Sequence, residues 1–344
     1  MKKPDYVAIA KEYMRGVLDG SVPACSFVKQ AVQRQLNDLR RWGPEGGDYY
    51  FDEKEASRPC WFIENLTHTK GELAGRAIHL EPWQCFLLTT LFGWKAKAGN
   101  RRFRSAYVEV GRGNGKSTLL SGIGLFCLCA DHEPGAEVYS FATTREQAKI
   151  VFGDAQTMAR GNRALQEAYG LEVTAHALYV PATNSTFQAK SAEGSTLDGL
   201  NTHLAIIDEL HAHKKRDVFD VVETSLGKRR NSLMVSITTA GVDRAGICYE
   251  QRTLVTKILS GSLQDESYFG IIYTLDPDDD WKSGEALAKA NPNWGVSVRP
   301  EVIRALQAKA IATPSAENNF KTKHLDVWCN ADVGWMDMKA WDAC

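Results

Sequence analysis

The chain has 344 residues, 44% of them hydrophobic and 24% charged, a composition that predicts a soluble globular protein with one large core or two domains. A net charge of −1 excludes a generally cationic nucleic-acid binder, so any such contact has to come from a local patch. No apolar run reaches the ~18–20 residues of a membrane span and the amino terminus lacks a hydrophobic signal core, so a cytosolic protein with no membrane partner is expected.

Residues 1–76 read as a polar helical region, with apolar residues at helical spacing over 10–18 and 27–39. The Gly, Pro and acidic content of 43–53 reads as a loop. Leu80-Glu81-Pro82-Trp83-Gln84 then opens a helix, with Pro82 in its first turn. The Gln84 amide offers both a donor and an acceptor to an adenine edge, although a plain helix start accounts for the segment equally well. From 77 to 260, β-rich runs at 106–110, 137–142, 177–180, 185–189, 204–207 and 233–238 alternate with helical stretches. This alternation predicts an α/β core with a mostly parallel sheet covered on both faces. Residues 261–344 carry a strand over 268–275, an acidic loop at 276–280 and short helices near 285–290 and 301–310, which together read as a lid or linker subdomain. The eight cysteines are scattered, and the one close pair, Cys127 and Cys129, reads as core filling.

Gly111-Arg112-Gly113-Asn114-Gly115-Lys116-Ser117-Thr118 lies between a predicted strand and the apolar run 119–130. In that setting backbone N–H groups and a helix N-terminus cradle phosphates, Lys116 reaches the β- and γ-phosphates, and the Ser117 hydroxyl ligates Mg²⁺. The pattern departs from G-x-x-x-x-G-K-[ST], because its first position is Val110 and Gly111 comes one residue late. A glycine-rich turn with no ligand is the plain alternative; the flanking strand and buried helix favour a nucleotide site.

Leu204-Ala205-Ile206-Ile207-Asp208-Glu209 is an apolar strand that delivers two carboxylates at its C-terminal end, where open α/β sheets build their sites. Asp208 would hold Mg²⁺ through water opposite Ser117, and Glu209 would polarise the attacking water. A strand ending in a solvated acidic turn is common in isolation, but a P-loop upstream favours the paired reading. The strand 233–238 ends in Thr238-Thr239-Ala240, hydroxyls placed to sense a γ-phosphate, although Thr-rich strand ends are routine.

These residues resemble the large terminase subunit of tailed bacteriophages, the ATPase that packages DNA into a procapsid. The resemblance also rests on Phe141-ATTREQAKIVF, Asp276-PDDDW, Ala290-NPNWG and Asn318-NFKTKHLDVW, and it runs from about residue 80 to the C-terminus. It implies a P-loop NTPase fold of the ASCE, RecA-like kind, with ATP and Mg²⁺ as cofactors. Gln84 would read adenine, and Gly111, Arg112, Gly113, Asn114, Gly115, Lys116, Ser117 and Thr118 would hold the phosphates. Arg112, Lys116 and Glu209 would be catalytic, Ser117 and Asp208 would bind metal, and Thr238 and Thr239 would form the coupling motif. Implied partners are double-stranded DNA, a portal protein, a small terminase subunit and further copies in a homo-oligomeric ring, all in the host cytoplasm.

Members of that family carry a C-terminal nuclease domain. The chain ends at Trp341-Asp342-Ala343-Cys344, about where such a domain should begin, and Asp276, Asp278, Asp279 and Asp280 read as a solvated loop. A motor domain without DNA cleavage is therefore expected. For the arginine finger, Arg112 is the candidate in cis, and Arg229, Arg230 and Arg244 are candidates in trans. Arg101, Arg102 and Arg104, and separately Lys214, Lys215 and Arg216, are either solvated faces or DNA-backbone contacts. A two-domain helicase is the first rival; it needs a second α/β domain of ~150 residues and a Q-x-x-G-R-x-G-R pattern that does not occur. A nucleotide-binding regulatory module is the second, and it leaves Glu209 without a use.

Overall fold

The computed structural model describes residues 4–42, 47–191 and 199–330. α1 (Tyr6–Asp19) is capped by Asp5, whose carboxylate accepts the Ala8 N–H at 2.9 Å, and it ends at Gly20 with φ 84°. α2 (Ser26–Arg41), β1 (Tyr49–Phe51), α3 (Glu53–Glu64), α4 (Pro82–Gly93) and β2 (Trp94–Ala96) follow. β1 pairs antiparallel with β2, so part of the segment expected to be a loop is a strand. Its aromatic residues explain this: Tyr49 packs edge-on to Trp42 and Phe51 to Trp94, with ring centroids 4.9 and 5.3 Å apart. Residues 43–46 of that loop lie outside the described residues.

The main sheet is assembled from β3 (Ser105–Glu109), β4 (Glu137–Ala142), β5 (Glu172–Val173), β6 (Leu178–Val180), β7 (Ser185–Ser191), β8 (Thr202–Asp208), β9 (Leu233–Thr238) and β10 (Tyr268–Ile272). Between these strands run α5 (Lys116–Cys129), α6 (Arg145–Gly161), α7 (Arg163–Tyr169), α8 (Asp217–Ser225) and α9 (Ile247–Leu259). The strand order is β10-β3-β9-β8-β4-β7-β6-β5, parallel from β10 to β7 and antiparallel at β6 and β5. This is the α/β architecture expected from the alternation. All seven residues of β8 are buried, as a parallel strand covered on both faces requires. β6 reverses because Pro181–Thr183 forms a 3-10 turn that ends at Asn184 in the left-handed region, φ 53°.

One feature of the order governs the site. β9 lies between β3 and β8, so the strand feeding the glycine-rich loop and the strand bearing the acid pair are not neighbours. The hydroxyl-bearing end of β9 therefore falls between them. α3 and α4 pack together and α3 reaches α5, which joins the N-terminal helices to the same hydrophobic core as the sheet. β10 pairs with β3 in register, so the sheet continues past residue 260.

Beyond β10, α10 (Gly284–Ala290), α11 (Pro300–Ala312) and α12 (Pro314–His324) enclose a small second core of Leu287, Ala290, Val298, Ile303, Phe320 and Leu325. α12 has no expected counterpart, since Phe320 is its one large buried residue and gives no helical periodicity. Among the described residues no helix is long and apolar enough to cross a membrane.

Candidate active site

Residues 111–115 join β3 to α5. Gly113 and Gly115 have φ of 88° and 75°, conformations that a Cβ disfavours, and this tight turn presents the N-terminus of α5 to the loop. Lys116 is only 8% exposed; its Nζ donates to the Val110 carbonyl oxygen at 2.9 Å and lies 4.0 Å from Glu209 Oε1. Arg112 is exposed. The Asn114 side chain is buried, donates to Gly111 O at 3.0 Å and Asn291 Oδ1 at 2.9 Å, and accepts the Asn293 N–H at 3.0 Å. Ser297 Oγ donates to Gly113 O at 2.6 Å, so residues 291–298 roof the loop.

Gln84 fills the helix-start role: its Oε1 accepts the Glu81 N–H at 2.9 Å in a capping box. Its Nε2 nevertheless borders the loop, 3.7 Å from where a Cβ on Gly115 would sit. Tyr13, Arg15, Pro82, Trp83 and Pro292 are among the residues lining a cavity of about 500 Å³ at this end of α4.

β8 ends at Asp208, and Glu209 leaves the strand with φ 49° and ψ 51°. That left-handed turn in a non-glycine residue costs on the order of 1 kcal/mol and is held by its surroundings. Burial and the adjacent Glu209 push the Asp208 carboxyl up to about 6, against the pull of Lys116. Burial pushes Glu209 up as well, but His211, Lys116 and Lys323 outweigh it and hold Glu209 at about 2. Glu209 thus stays ionised, while Asp208 is a buried carboxylate short of positive charge. Its carboxylate and the Ser117 hydroxyl are both oxygen donors, the ligand type that a hard cation such as Mg²⁺ takes.

His211 completes the site, and the sequence reading passed over it. Its backbone N–H and its Nδ1 each lie 3.0 Å from Thr238 Oγ1, and Nδ1 lies 3.2 Å from Glu209 Oε2. Nε2 lies 3.1 Å from Lys323 Nζ. Thr238 Oγ1 donates onward to Thr239 O at 2.8 Å, and both threonines are fully buried. His211 therefore joins the end of β9 to the acid pair. A histidine two residues beyond Glu209 was the available signal.

Arg229 does not suit a trans finger. Its guanidinium bonds to Asn201 O, Glu133, Pro134 O and Gly135 O, all beside the N-terminal end of β4 and away from the loop. Arg230 and Arg244 are exposed, although Arg244 also donates to Trp328 O at 2.9 Å. The cluster Arg101, Arg102 and Arg104 is not a DNA-facing patch. Arg101 is buried against Asp131, Arg102 against Asp38 and Glu266, and Arg104 donates to Leu226 O, Arg229 O and Ser232 Oγ. Lys214, Lys215 and Arg216 are exposed, with Arg216 paired to Asp220 and Glu250. A histidine does approach Cys127, since Cys127, Asp131 and His203 offer atoms within 4.8 Å of one another, but Arg101 already neutralises that carboxylate.

With this geometry in hand, comparison with known proteins decides the family. Residues 82–257 match the model of the terminase large subunit ATPase domain, half of the chain. The chain belongs to the terminase large subunit family. It is 42% identical over 147 residues to Protein YmfN of Escherichia coli (strain K12), covering 43% of this chain and 32% of that one. It is 29% identical over 288 residues to the terminase large subunit of Enterobacteria phage HK97, covering 82% of this chain and 55% of that one. Against the crystal structure of the HK97 bacteriophage large terminase the TM-score is 0.69 at 26% identity, over 84% of this chain and 58% of that one. This terminase chain therefore spans about half of the HK97 relative and a third of YmfN.

The same comparison corrects the expectation of a chain without a nuclease portion, because residues 262–344 match the terminase large subunit endonuclease domain. The expectation set the residues after Ser260 against the size of a complete nuclease domain, whereas the match takes in β10 and the α10–α12 unit. Within the described part of that segment, Asp276 and Asp279 are both paired to Lys289. The terminal run 341–344 lies outside the described residues.

Proposed function

We propose that this terminase chain is the ATP-hydrolysing motor of phage DNA packaging, driving double-stranded DNA into a procapsid. The observation that carries the proposal is Lys116 facing Glu209 at 4.0 Å, with His211 beside Glu209 and bonded to Thr238. In this reading Gly111 to Thr118 and the N-terminus of α5 hold the phosphates, and Lys116 exchanges the Val110 carbonyl for phosphate oxygens. Gln84 meets the adenine edge. Ser117 and Asp208 would hold Mg²⁺, which would supply positive charge to neutralise phosphoryl oxygens.

Glu209 accepts a hydrogen bond from the attacking water and orients it, while Arg112 brings positive charge in cis. In a ring of copies Arg230 and Arg244, both exposed, are the remaining donors in trans. Thr238 and Thr239 pass the loss of the γ-phosphate to β9 through His211. Lys214 and Lys215 face the DNA backbone. The ATPase core of 77–260 works between the helical region 1–76 and the segment 261–344, with a portal protein and a small terminase subunit as partners in the host cytoplasm.

Phosphate release from ATP, followed over a range of protein concentrations with and without double-stranded DNA, tests this proposal. Mg²⁺-dependent release whose specific rate rises with protein concentration is expected. A chain that stays silent at every concentration, with portal protein added, contradicts it.

A further inference from the structure

Lys323 lies at the end of α12, in the segment matched to the endonuclease domain, and yet its side chain reaches the candidate ATPase site. Its carbonyl oxygen accepts the Arg112 N–H at 2.8 Å, which pins this end of α12 onto the glycine-rich loop. The fit there is close: a Cβ on Gly111 would come within 3.4 Å of both Lys323 O and His324 O, and within 3.3 Å of Asn291 Oδ1. From that anchor Nζ extends to His211 Nε2 at 3.1 Å.

An ammonium group has donors and no acceptor, so the bond to Lys323 requires an unprotonated Nε2. The imidazole proton then sits on Nδ1, which is 3.0 Å from Thr238 Oγ1 and 3.2 Å from Glu209 Oε2. We propose that Lys323 is a positioning residue for hydrolysis: it fixes His211 as the Nδ1–H tautomer, so that the ring donates to Thr238 and turns an N–H, not a lone pair, towards Glu209. In the opposite tautomer an Nδ1 lone pair would face the Glu209 carboxylate, and the carboxylate would be pushed from its place. The inference rests on the ATPase reading, and it makes that site depend on a group from the following segment.

Two measurements on the full chain test it. The first is the ¹⁵N spectrum of labelled histidines, with His211 assigned by loss of its signals in His211→Gln. Wild type is expected to show the Nδ1–H form of His211, and Lys323→Ala to move it towards the Nε2–H form while the other histidine signals stay in place. The second is steady-state ATP hydrolysis. Lys323→Ala should lower kcat about tenfold with KM for ATP within about threefold, and Lys323→Arg should recover most of the rate. The double variant Lys323→Ala/His211→Gln should be no slower than His211→Gln alone. An unchanged tautomer in Lys323→Ala, additive losses in the double variant, or a KM that rises as kcat falls would overturn the inference. A wild type that does not hydrolyse ATP at all sinks the ATPase reading itself, and the spectrum still separates that result from a missing Lys323–His211 link.

Discussion

Lys116 Nζ, at the start of α5, and Glu209 Oε1, just past the end of β8, stand 4.0 Å apart, although β9 separates β8 from β3, the strand that feeds the glycine-rich loop. Lys116 Nζ donates to the Val110 carbonyl oxygen, and Glu209 Oε2 lies 3.2 Å from His211 Nδ1. Because His211 also bonds Thr238, the acid pair cannot shift without disturbing the end of β9.

Thr238→Val keeps the shape of the side chain and removes the oxygen that accepts from the His211 backbone N–H and faces its ring. A half-buried N–H is left without its partner, so a loss of ~1–3 kcal/mol in urea unfolding is expected. ATP hydrolysis should fall further than nucleotide affinity, because the phosphate loop is untouched. Wild-type stability and wild-type turnover in this variant would contradict the coupling.

Arg102 and Lys214/Lys215 separate charges that hold the fold from charges left for a partner. Arg102 bonds Asp38 at 2.8 Å and Glu266 at 2.6 Å and stacks on Trp42, 4.3 Å from the ring centroid. Arg102→Ala strands a buried carboxylate and should cost ~3–5 kcal/mol. Changing Lys214 and Lys215 together to alanine should alter stability by less than about 0.5 kcal/mol but weaken DNA binding and flatten its salt dependence. Equal melting temperatures for the two variants would refute the assignment.

Much of this was legible in the sequence. The loop ending in Lys116-Ser117, the strand ending in Asp208-Glu209 and the threonines of β9 are short runs whose chemistry depends on local order, and they pointed to the fold and the family. What the sequence hid was long-range. Arg101, Arg102 and Arg104 looked like a basic patch because Asp131, Asp38 and Glu266, which meet Arg101 and Arg102, and the carbonyl groups that meet Arg104, come from distant segments. Lys323 meets His211 only because α12 docks on the glycine-rich loop.

Asp208 gives a pH signature. Its carboxyl is raised in the fold to about 6 from an ordinary 3.8, so its contribution to stability is complete below about pH 4 and is lost as pH rises through 6. Above that range the buried anion destabilises the metal-free protein by up to ~3 kcal/mol. Asp208→Asn should therefore melt above wild type at pH 8 without Mg²⁺, and the gap should close towards pH 4. Thermal melts across that range decide it; a gap independent of pH would show that Asp208 is ionised throughout.

The central claim is that Glu209 orients the water that attacks ATP while the glycine-rich loop binds the nucleotide independently of it. Glu209→Gln preserves size and removes the charge, so its turnover and its ATP affinity, measured side by side with Mg²⁺, test that claim most directly. The account predicts affinity within about threefold of wild type and kcat lower by roughly 100-fold or more. A Glu209→Gln protein that turns over ATP at the wild-type rate would contradict it.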